Sequence, residues 1–216
     1  MRYRHRQHAG QVLAEALQGL HLASPAVLGL PRGGVPVAAE VAVALSAPLD
    51  VLVVRKLGLP EQPELGLGAI AEGGITVLND DLVKRTGVAA EVLARVHERE
   101  EGELARRAQT YRGRRERVSV AGRTAVVVDD GLATGYTARA AVRAARELGA
   151  AGVILAVPVG APETVADLAE VADGVVCPLQ PRRLWAVGQW YDDFQQTPDA
   201  EVVELLEAAR RRVADG

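Results

Sequence analysis

Short apolar runs alternate along the chain with segments in which apolar residues recur every three or four positions. The runs predict buried strands over 26–30, 50–54, 125–128, 153–157 and 174–177. Helical spacing predicts amphipathic helices over 7–20, 35–45, 137–148, 163–171 and 199–213. Buried strands that alternate with helices are typical of a parallel sheet covered on both faces. The pattern therefore predicts an α/β fold with a doubly wound parallel sheet.

The segment 79–117 is longer than such a sheet requires. It follows a predicted hairpin of 68–71 and 75–78, and its spacing predicts a short helix over 80–85 and a long, charged helix over 88–111. Its basic end fits a solvated face or a subunit contact better than nucleic acid, because acidic residues precede it in equal measure. That end holds Arg112, Arg114, Arg115 and Arg117. We predict a single domain over 1–216, with 79–117 as a helical insertion that serves as a lid or a dimer arm. Residues 178–216 would form a hood and a C-terminal helix.

Composition limits the partners and the cellular compartment to be expected for this chain. The 216 residues are 49% hydrophobic and 25% charged, with a net charge of -3, which gives no general attraction to nucleic acid. The lone cysteine, Cys177, cannot form an intramolecular disulfide, and its apolar surroundings predict a small buried side chain. The basic amino terminus lacks the apolar core of a signal peptide, and no run approaches transmembrane length. We therefore expect a cytoplasmic protein without a membrane partner.

The stretch 124–137, TAVVVDDGLATGYT, carries the strongest chemical pattern. A buried strand delivers Asp129 and Asp130 at its carboxyl end, and a small-residue loop then leads into a helix. Loop amides and the positive helix end favour an anion, Gly135 permits close approach, and nearby threonine hydroxyls can donate. Carboxylates accept hydrogen bonds from vicinal sugar hydroxyls. The stretch therefore predicts a seat for a ribose 5-phosphate, whereas dinucleotide-binding and Walker spacings do not occur.

A second strand, loop and helix, with Pro31-Arg32-Gly33-Gly34 as its loop, predicts another anion seat. The next strand delivers Arg55 and Lys56 where ligands sit in open α/β sheets. The glycines and prolines that follow predict a flexible excursion over 57–67. If it closed, three carboxylates could approach a substrate, although each also fits a solvated position: Glu61, Glu64 and Glu72.

Aromatic side chains are concentrated near the end of the chain, at Trp185, Trp190, Tyr191 and Phe194. Aromatic rings can stack on a flat base while neighbouring polar groups read its edge. A purely packing role fits the same residues equally well. We place a base-like ligand near 184–194 as a working hypothesis.

The stretch VVVDDGLATGYT resembles the phosphoribosyl pyrophosphate (PRPP) signature of the type I phosphoribosyltransferases. The motifs LPRGGVPVA, RKLG, GAIAEGG and VGQWYDDF are similar to a bacterial and archaeal branch of that family. The resemblance implies catalytic roles for Asp129, Asp130 and Lys56. It also implies a 5-phosphate site at Ala133, Thr134, Gly135, Tyr136 and Thr137, a pyrophosphate site at Arg32, Gly33, Gly34, Arg55 and Lys56, and an acceptor site at Leu184, Trp185, Trp190 and Tyr191.

The resemblance further implies Mg²⁺-dependent transfer of ribose 5-phosphate from PRPP to a nitrogen acceptor, a nucleobase, with release of pyrophosphate. Mg²⁺ would be held mainly by PRPP and water, without a dedicated metal site in the protein. Ala133 stands where hypoxanthine-guanine enzymes have an aspartate, as in the adenine enzymes. Tyr136 replaces the glycine of the adenine enzymes, so its ring must leave the loop or partly cover it.

Two other functions stay open at this point. The chain could be a PRPP-sensing regulator that binds RNA or DNA through the arginines of 106–117. It could also be a nucleotide-binding scaffold whose aromatic hood is a subunit interface. For the enzyme we expect a homodimer that binds PRPP and a small-molecule base, with no nucleic-acid partner.

Overall fold

The computed structural model describes residues 2–59 and 62–214. Its helices are α1 (Arg6–Leu17), α2 (Gly34–Ala44), α3 (Asp80–Thr86), α4 (Ala90–Arg112), α5 (Tyr136–Glu147), α6 (Pro162–Ala169) and α7 (Asp199–Ala214), with a 3-10 turn at Val187–Trp190. Its strands are β1 (Ala26–Gly29), β2 (Leu49–Val51), β3 (Val54–Leu59), β4 (Gln62–Ala71), β5 (Ile75–Leu78), β6 (Thr124–Val128), β7 (Gly152–Ala156) and β8 (Gly174–Val176).

The central sheet is parallel, with strand order β2-β1-β6-β7-β8. The chain moves outward from β1 to β2 and later returns to the other side of β1 as β6. The order therefore reverses between β1 and β6, and open α/β sheets bind ligands at the carboxyl ends of the strands on either side of such a reversal. The loops after β1 and β6, for which the sequence predicts anion binding, lie at this reversal.

Alternation along the strands builds a core on each face of this sheet. In β6, Val126 and Val128 pack in a cluster with residues of α1, α2 and α7. Ala125 and Val127 face the opposite way, into a cluster with the alanine-rich side of α5. Helices on both faces confirm the predicted doubly wound α/β fold.

A second sheet is antiparallel, with strand order β3-β4-β5, and its strands differ from two predictions made from the sequence. The predicted strand over 50–54 is split, because β2 ends at Val51 and β3 begins at Val54. The predicted flexible excursion over 57–67 is, in its described part, a paired hairpin in which Leu57 opposes Gly68. Buried Leu57 and Leu67 give these strands an apolar side. Glu61 and the side chain of Glu64 lie outside the described residues.

The insertion begins with the predicted short helix, α3. The Asn79 side chain caps this helix by accepting a hydrogen bond from the Leu82 N–H, and Gly87 ends it in a left-handed conformation. The long helix α4 then packs against β3 and α7. The expectation of a solvated basic end is wrong for Arg112, which is buried, whereas Arg114, Arg115 and Arg117 are exposed. Within the described ranges, no helix combines the length and apolar character needed to cross a bilayer.

Candidate active site

The loops after β1 and β6 touch one another through two glycines. A Cβ atom on Gly33 would lie 2.0 Å from Asp130 Oδ2, and one on Gly34 would lie 2.7 Å from the Val128 carbonyl oxygen. A Cβ atom at Gly34 would displace the backbone at the end of β6, whereas one at Gly33 would displace the Asp130 carboxylate. The Pro31–Arg32 peptide bond of the first loop is cis.

Asp129 and Asp130 form a pair of adjacent carboxylates at the end of β6. Asp129 Oδ1 accepts a hydrogen bond from the Asp130 N–H at 2.9 Å. Burial, followed by the charge of Asp130, holds the pKa of Asp129 well above its usual range. Burial also raises the pKa of Asp130, although Arg6 opposes that shift. Two carboxylates in so enclosed a position favour a ligand that donates hydrogen bonds or develops positive charge.

Arg6 contacts the candidate site, although the sequence did not reveal it. It lies in the basic amino-terminal segment, and its guanidinium pairs with Asp130 Oδ2, with both Nε and Nη2 at 2.9 Å. The Arg6 side chain is only 11% exposed. These two residues are separated by 124 positions, so no local pattern links them.

The loop 133–137 borders a cavity of about 180 Å³ that is also lined by Lys56 and Asp129. Gly135, at the N-cap of α5, has φ +77° and no side-chain cap, so the first amides of the helix stay available for an anion. Thr164 Oγ1 donates to the Ala133 carbonyl oxygen at 3.1 Å and supports the loop from α6. The geometry matches a phosphate seat beside a carboxylate.

The Tyr136 side chain reaches toward the insertion and does not line the cavity beside Lys56. Its hydroxyl oxygen accepts a hydrogen bond from Asn79 Nδ2 at the start of α3. The same asparagine caps α3 through its Oδ1 atom. The insertion is thereby tied to the loop that borders the cavity.

The structure separates the two cations that the sequence placed together. Successive residues of a strand point to opposite faces, so Lys56 lines the cavity while Arg55 turns toward α4. Arg55 Nη2 lies 2.7 Å from Glu100 Oε2, and that carboxylate is buried. Arg55 therefore does not line the cavity, contrary to the expectation that its side chain binds pyrophosphate. Arg32 remains half-buried in the loop after β1.

Glu72 contradicts both expectations for it, because it neither approaches a substrate nor lies in a solvated position. It is buried, with Oε1 accepting from the Val53 N–H at 2.9 Å and Oε2 accepting from Arg112 Nη1 at 2.7 Å. Both oxygens are committed to the interior, so Glu72 supports the hairpin turn.

The hood reaches the acidic pair through Tyr191. Its hydroxyl donates to the Asp130 carbonyl oxygen at 2.6 Å, and its ring lies 5.5 Å from the Tyr3 ring and 4.9 Å from the Phe194 ring. Tyr191 is buried, so both of its faces serve packing, and burial raises its pKa. Trp185, by contrast, is 81% exposed, while Leu184 and Trp190 are half-buried.

Cys177 is buried, as expected, and lies outside the acidic pair and its cavity. Its thiol donates to the Leu179 carbonyl oxygen at 3.4 Å, and burial raises the pKa of that thiol to about 12. It is suited to packing and not to nucleophilic chemistry.

Comparison with known proteins identifies the family. A family model described as the phosphoribosyl transferase domain matches residues 2–190. The chain belongs to the phosphoribosyl transferase family. The fold and the resemblance inferred from the motif around Asp129 are confirmed. The match extends from the amino-terminal segment that carries Arg6 to the 3-10 turn of the hood.

Individual phosphoribosyl transferase relatives agree with this assignment. Two Mycobacterium tuberculosis proteins, from strains CDC 1551 / Oshkosh and H37Rv, are 53% identical over 210 residues and are provisionally named as phosphoribosyl transferases. The match covers 97% of this chain and 47% of each relative, so the chain spans about half the length of these curated relatives. A protein from Thermus thermophilus with a known crystal structure is 45% identical in sequence to this chain. The two structures superpose with a TM-score of 0.82, and the match covers 95% of this chain and 98% of that one.

The side chains of the candidate site show how a magnesium ion could be held there. Across residues 2–59 and 62–214, no group of three or more His, Cys, Asp or Glu side chains is arranged to hold a metal ion. The cavity offers the Asp129 carboxylate, the Lys56 ammonium and loop amides. Such a set fits a Mg²⁺ ion carried by a polyphosphate ligand and its waters, since Mg²⁺ dehydrates reluctantly.

Proposed function

We propose that this chain transfers ribose 5-phosphate from PRPP to a nitrogen acceptor, a nucleobase, and releases pyrophosphate. The observation that carries the proposal is the single cavity that gathers the loop 133–137, Asp129 and Lys56. An anion seat, a carboxylate and a cation match the phosphate, the ribose and the pyrophosphate of one substrate. The cavity lies at the strand reversal, where a member of the phosphoribosyl transferase family is expected to bind its ligand.

In this proposal the chain's residues bind PRPP in three parts. The amides and hydroxyls of 133–137 bind the 5-phosphate, and Asp129 and Asp130 accept hydrogen bonds from the ribose hydroxyls. Lys56, Arg32 and the amides of the first loop neutralise the pyrophosphate. Mg²⁺, when bound with PRPP, would supply further charge stabilisation to the leaving group.

Transfer would break the bond between C1 and the pyrophosphate oxygen, with the electron pair leaving on pyrophosphate. The carboxylate pair would favour the positive charge that develops on the ribose. The acceptor nitrogen would form the new bond to C1, while water or the leaving pyrophosphate takes its proton. Enclosure of the site would limit competing attack by water.

The acceptor would lie against the hood, at Leu184, Trp185, Trp190 and Tyr191. Because Tyr191 is buried, Trp185 offers the open ring face for stacking on a base. The buried Tyr191 would act indirectly, by holding the Asp130 backbone. A cytoplasmic homodimer stays a prediction from the sequence.

The experiment is PRPP-dependent pyrophosphate release with Mg²⁺, measured against a panel of purines, pyrimidines and related nitrogen bases. Release with one acceptor is expected, and Asp130→Asn should lower it by orders of magnitude. Asp192→Asn, a change at a carboxylate that is 59% exposed, is the matched control and should keep the rate. PRPP binding by calorimetry without release across the panel would favour the PRPP-sensing regulator. Absence of PRPP binding to the wild type would overturn the proposal.

A further inference from the structure

The guanidinium of Arg6 contacts Asp130 and two neighbouring residues of the hood. Nε and Nη2 pair with Asp130 Oδ2, and Nη1 donates to the Gln195 carbonyl oxygen at 2.6 Å. The carbon at the centre of the guanidinium lies 4.0 Å from the centroid of the Phe194 ring. One side chain on α1 therefore joins the acidic pair to the hood.

The contact with Asp130 fixes the orientation of that carboxylate. Both guanidinium nitrogens bind the same oxygen, Oδ2, which leaves Oδ1 outside the ion pair. Oδ2 also rests against the backbone of Gly33, where a Cβ atom would lie only 2.0 Å from Oδ2 and 3.0 Å from Arg6 Nε. A carboxylate oxygen that pairs with a guanidinium and packs against a backbone is restricted in its rotation, so Arg6 and Gly33 set the direction of Oδ1.

We propose that Arg6 is a positioning residue for phosphoribosyl transfer, which aims the Asp130 carboxylate at a ribose hydroxyl and couples it to the hood. The inference rests on the proposed function, because it assigns the ribose to Asp130. Arg6 itself would act through Asp130 and does not need to touch the substrate.

The charges around Asp130 explain why a cation is needed there. Asp129 lies beside it on the same loop, and the charge of Asp130 raises the pKa of Asp129. The hood presents the Tyr191 hydroxyl, which binds the Asp130 carbonyl oxygen and not the carboxylate. The ammonium of Lys56, on β3, acts on Asp129. Arg6 is the cation in direct contact with Asp130, and it opposes the rise in pKa that burial causes. Without Arg6, a smaller fraction of Asp130 would be ionised at a given pH.

The test compares Arg6→Gln with Arg2→Gln by calorimetric titration with PRPP and Mg²⁺. Arg2 is a matched control because it also joins the amino terminus to the hood, through Asp192 at 3.6 Å and the Tyr191 carbonyl oxygen at 2.9 Å, without contacting Asp130. Charge-assisted hydrogen bonds lead us to expect PRPP affinity to fall about ten-fold or more in Arg6→Gln and to stay within about two-fold in Arg2→Gln. The deficit of Arg6→Gln should shrink as the pH rises, because Asp130 then ionises without help, and added guanidinium ion should partly restore binding to Arg6→Ala.

Three results would overturn the inference. Equal affinities at every pH would mean that Arg6 does not prepare Asp130, and tighter binding by Arg6→Gln would mean that Arg6 competes with the ribose. A deficit that is independent of pH and unaffected by guanidinium would indicate a merely structural contact. If Arg6→Gln does not fold, Arg6→Lys, which keeps the charge but loses the paired donors, replaces it and should bind PRPP with intermediate affinity.

A carboxyl NMR titration separates this inference from the proposed function, because it requires no substrate. With the Asp130 resonance identified by its loss in Asp130→Asn, the pKa of Asp130 should be higher in Arg6→Gln than in the wild type. An unchanged pKa would contradict the positioning role even if PRPP binds. If the pKa of Asp130 is raised in Arg6→Gln but the wild type does not bind PRPP, the effect of Arg6 on Asp130 is supported and the assigned substrate is refuted.

Discussion

Arg112, the last residue of α4, forms a buried ion pair with Asp50 in the edge strand β2. Arg112 Nε lies 3.0 and 3.1 Å from the two Asp50 oxygens, and Asp50 is 0% exposed. Asp50 also accepts from the N–H groups of Val51 and Val118, and Arg112 donates to Glu72 and to the Val51 carbonyl oxygen. The charges are thus fully hydrogen-bonded, which a buried pair requires. The pair anchors the insertion to both sheets.

Replacing Arg112 should be strongly destabilising. Arg112→Ala leaves the Asp50 carboxylate buried and unpaired, so we expect the free energy of unfolding to fall by about 3–5 kcal/mol. Arg115→Ala is the control, because Arg115 pairs with Glu207 in the open, 50% exposed, and should cost less than about 1 kcal/mol. Urea unfolding measures both values. Similar losses for the two variants would contradict the special role of the buried pair.

The sequence could not single out Arg112 or Arg6. Arg112 belongs to a run with Arg114, Arg115 and Arg117, and nothing in that run shows which arginine enters the interior. Its partner Asp50 lies 62 residues earlier, so the decision is made by tertiary contacts. The same reasoning applies to Arg6 in the basic amino terminus.

The two strand-loop-helix units could be predicted because they are local. A buried strand, a glycine-containing loop and a helix follow one another within a few residues, and the chemistry of such a unit depends on its own backbone. The prediction of a flexible segment at the hairpin of β3 and β4 was wrong, because this hairpin depends on contacts between strands and not on local sequence. Its glycines and prolines are typical of loops, whereas its strands are set by cross-strand pairing and by the burial of Leu57 and Leu67.

Asp129→Asn should stabilise the fold at neutral pH while it removes turnover. The folded-state pKa of Asp129 is raised by burial and by Asp130, so protonation stabilises the fold. That contribution is fully present below the unfolded-state pKa and is lost as the pH rises through the folded-state pKa. Asparagine mimics the protonated form, so the melting temperature should exceed that of the wild type near pH 7, and the difference should vanish in acid.

Thermal melts across this pH range test the sign of the effect. Asp192→Asn is the control, because an exposed carboxylate should change stability by less than about 0.5 kcal/mol. A lower melting temperature of Asp129→Asn at pH 7 would show that the ionised carboxylate is stabilised, contrary to the raised pKa.

Gly33→Ala tests the contact between the two anion loops. Gly33 has φ -62° and ψ -31°, so alanine introduces no backbone strain and only its methyl group matters. That methyl must displace the Asp130 carboxylate from Arg6, and we expect PRPP affinity to fall about ten-fold or more. Gly19→Ala, at a position with no atom within 4 Å of the added carbon, should leave binding unchanged. Wild-type affinity in Gly33→Ala would mean that the Asp130 orientation is irrelevant to PRPP.

Cys177 should be inert in the native protein. Its thiol is buried and has a pKa of about 12, so the reactive thiolate is scarce at pH 8. We expect a colorimetric disulfide reagent to react slowly with the native chain and rapidly after unfolding in urea, while Cys177→Ala keeps its turnover. Fast labelling of the native chain, or lost turnover in Cys177→Ala, would contradict this assignment.

Trp185→Ala separates the proposed acceptor site from the PRPP site. Trp185 is the most exposed aromatic side chain of the hood, and stacking of a base on one ring contributes about 1–3 kcal/mol. The KM for the acceptor should therefore rise about five-fold or more, while calorimetric affinity for PRPP stays unchanged because the cavity beside Lys56 is intact. Val213→Ala, which removes another exposed apolar side chain on α7, is the control and should alter neither value. An unchanged acceptor KM would remove Trp185 from the acceptor site and leave its ring free for a different surface contact.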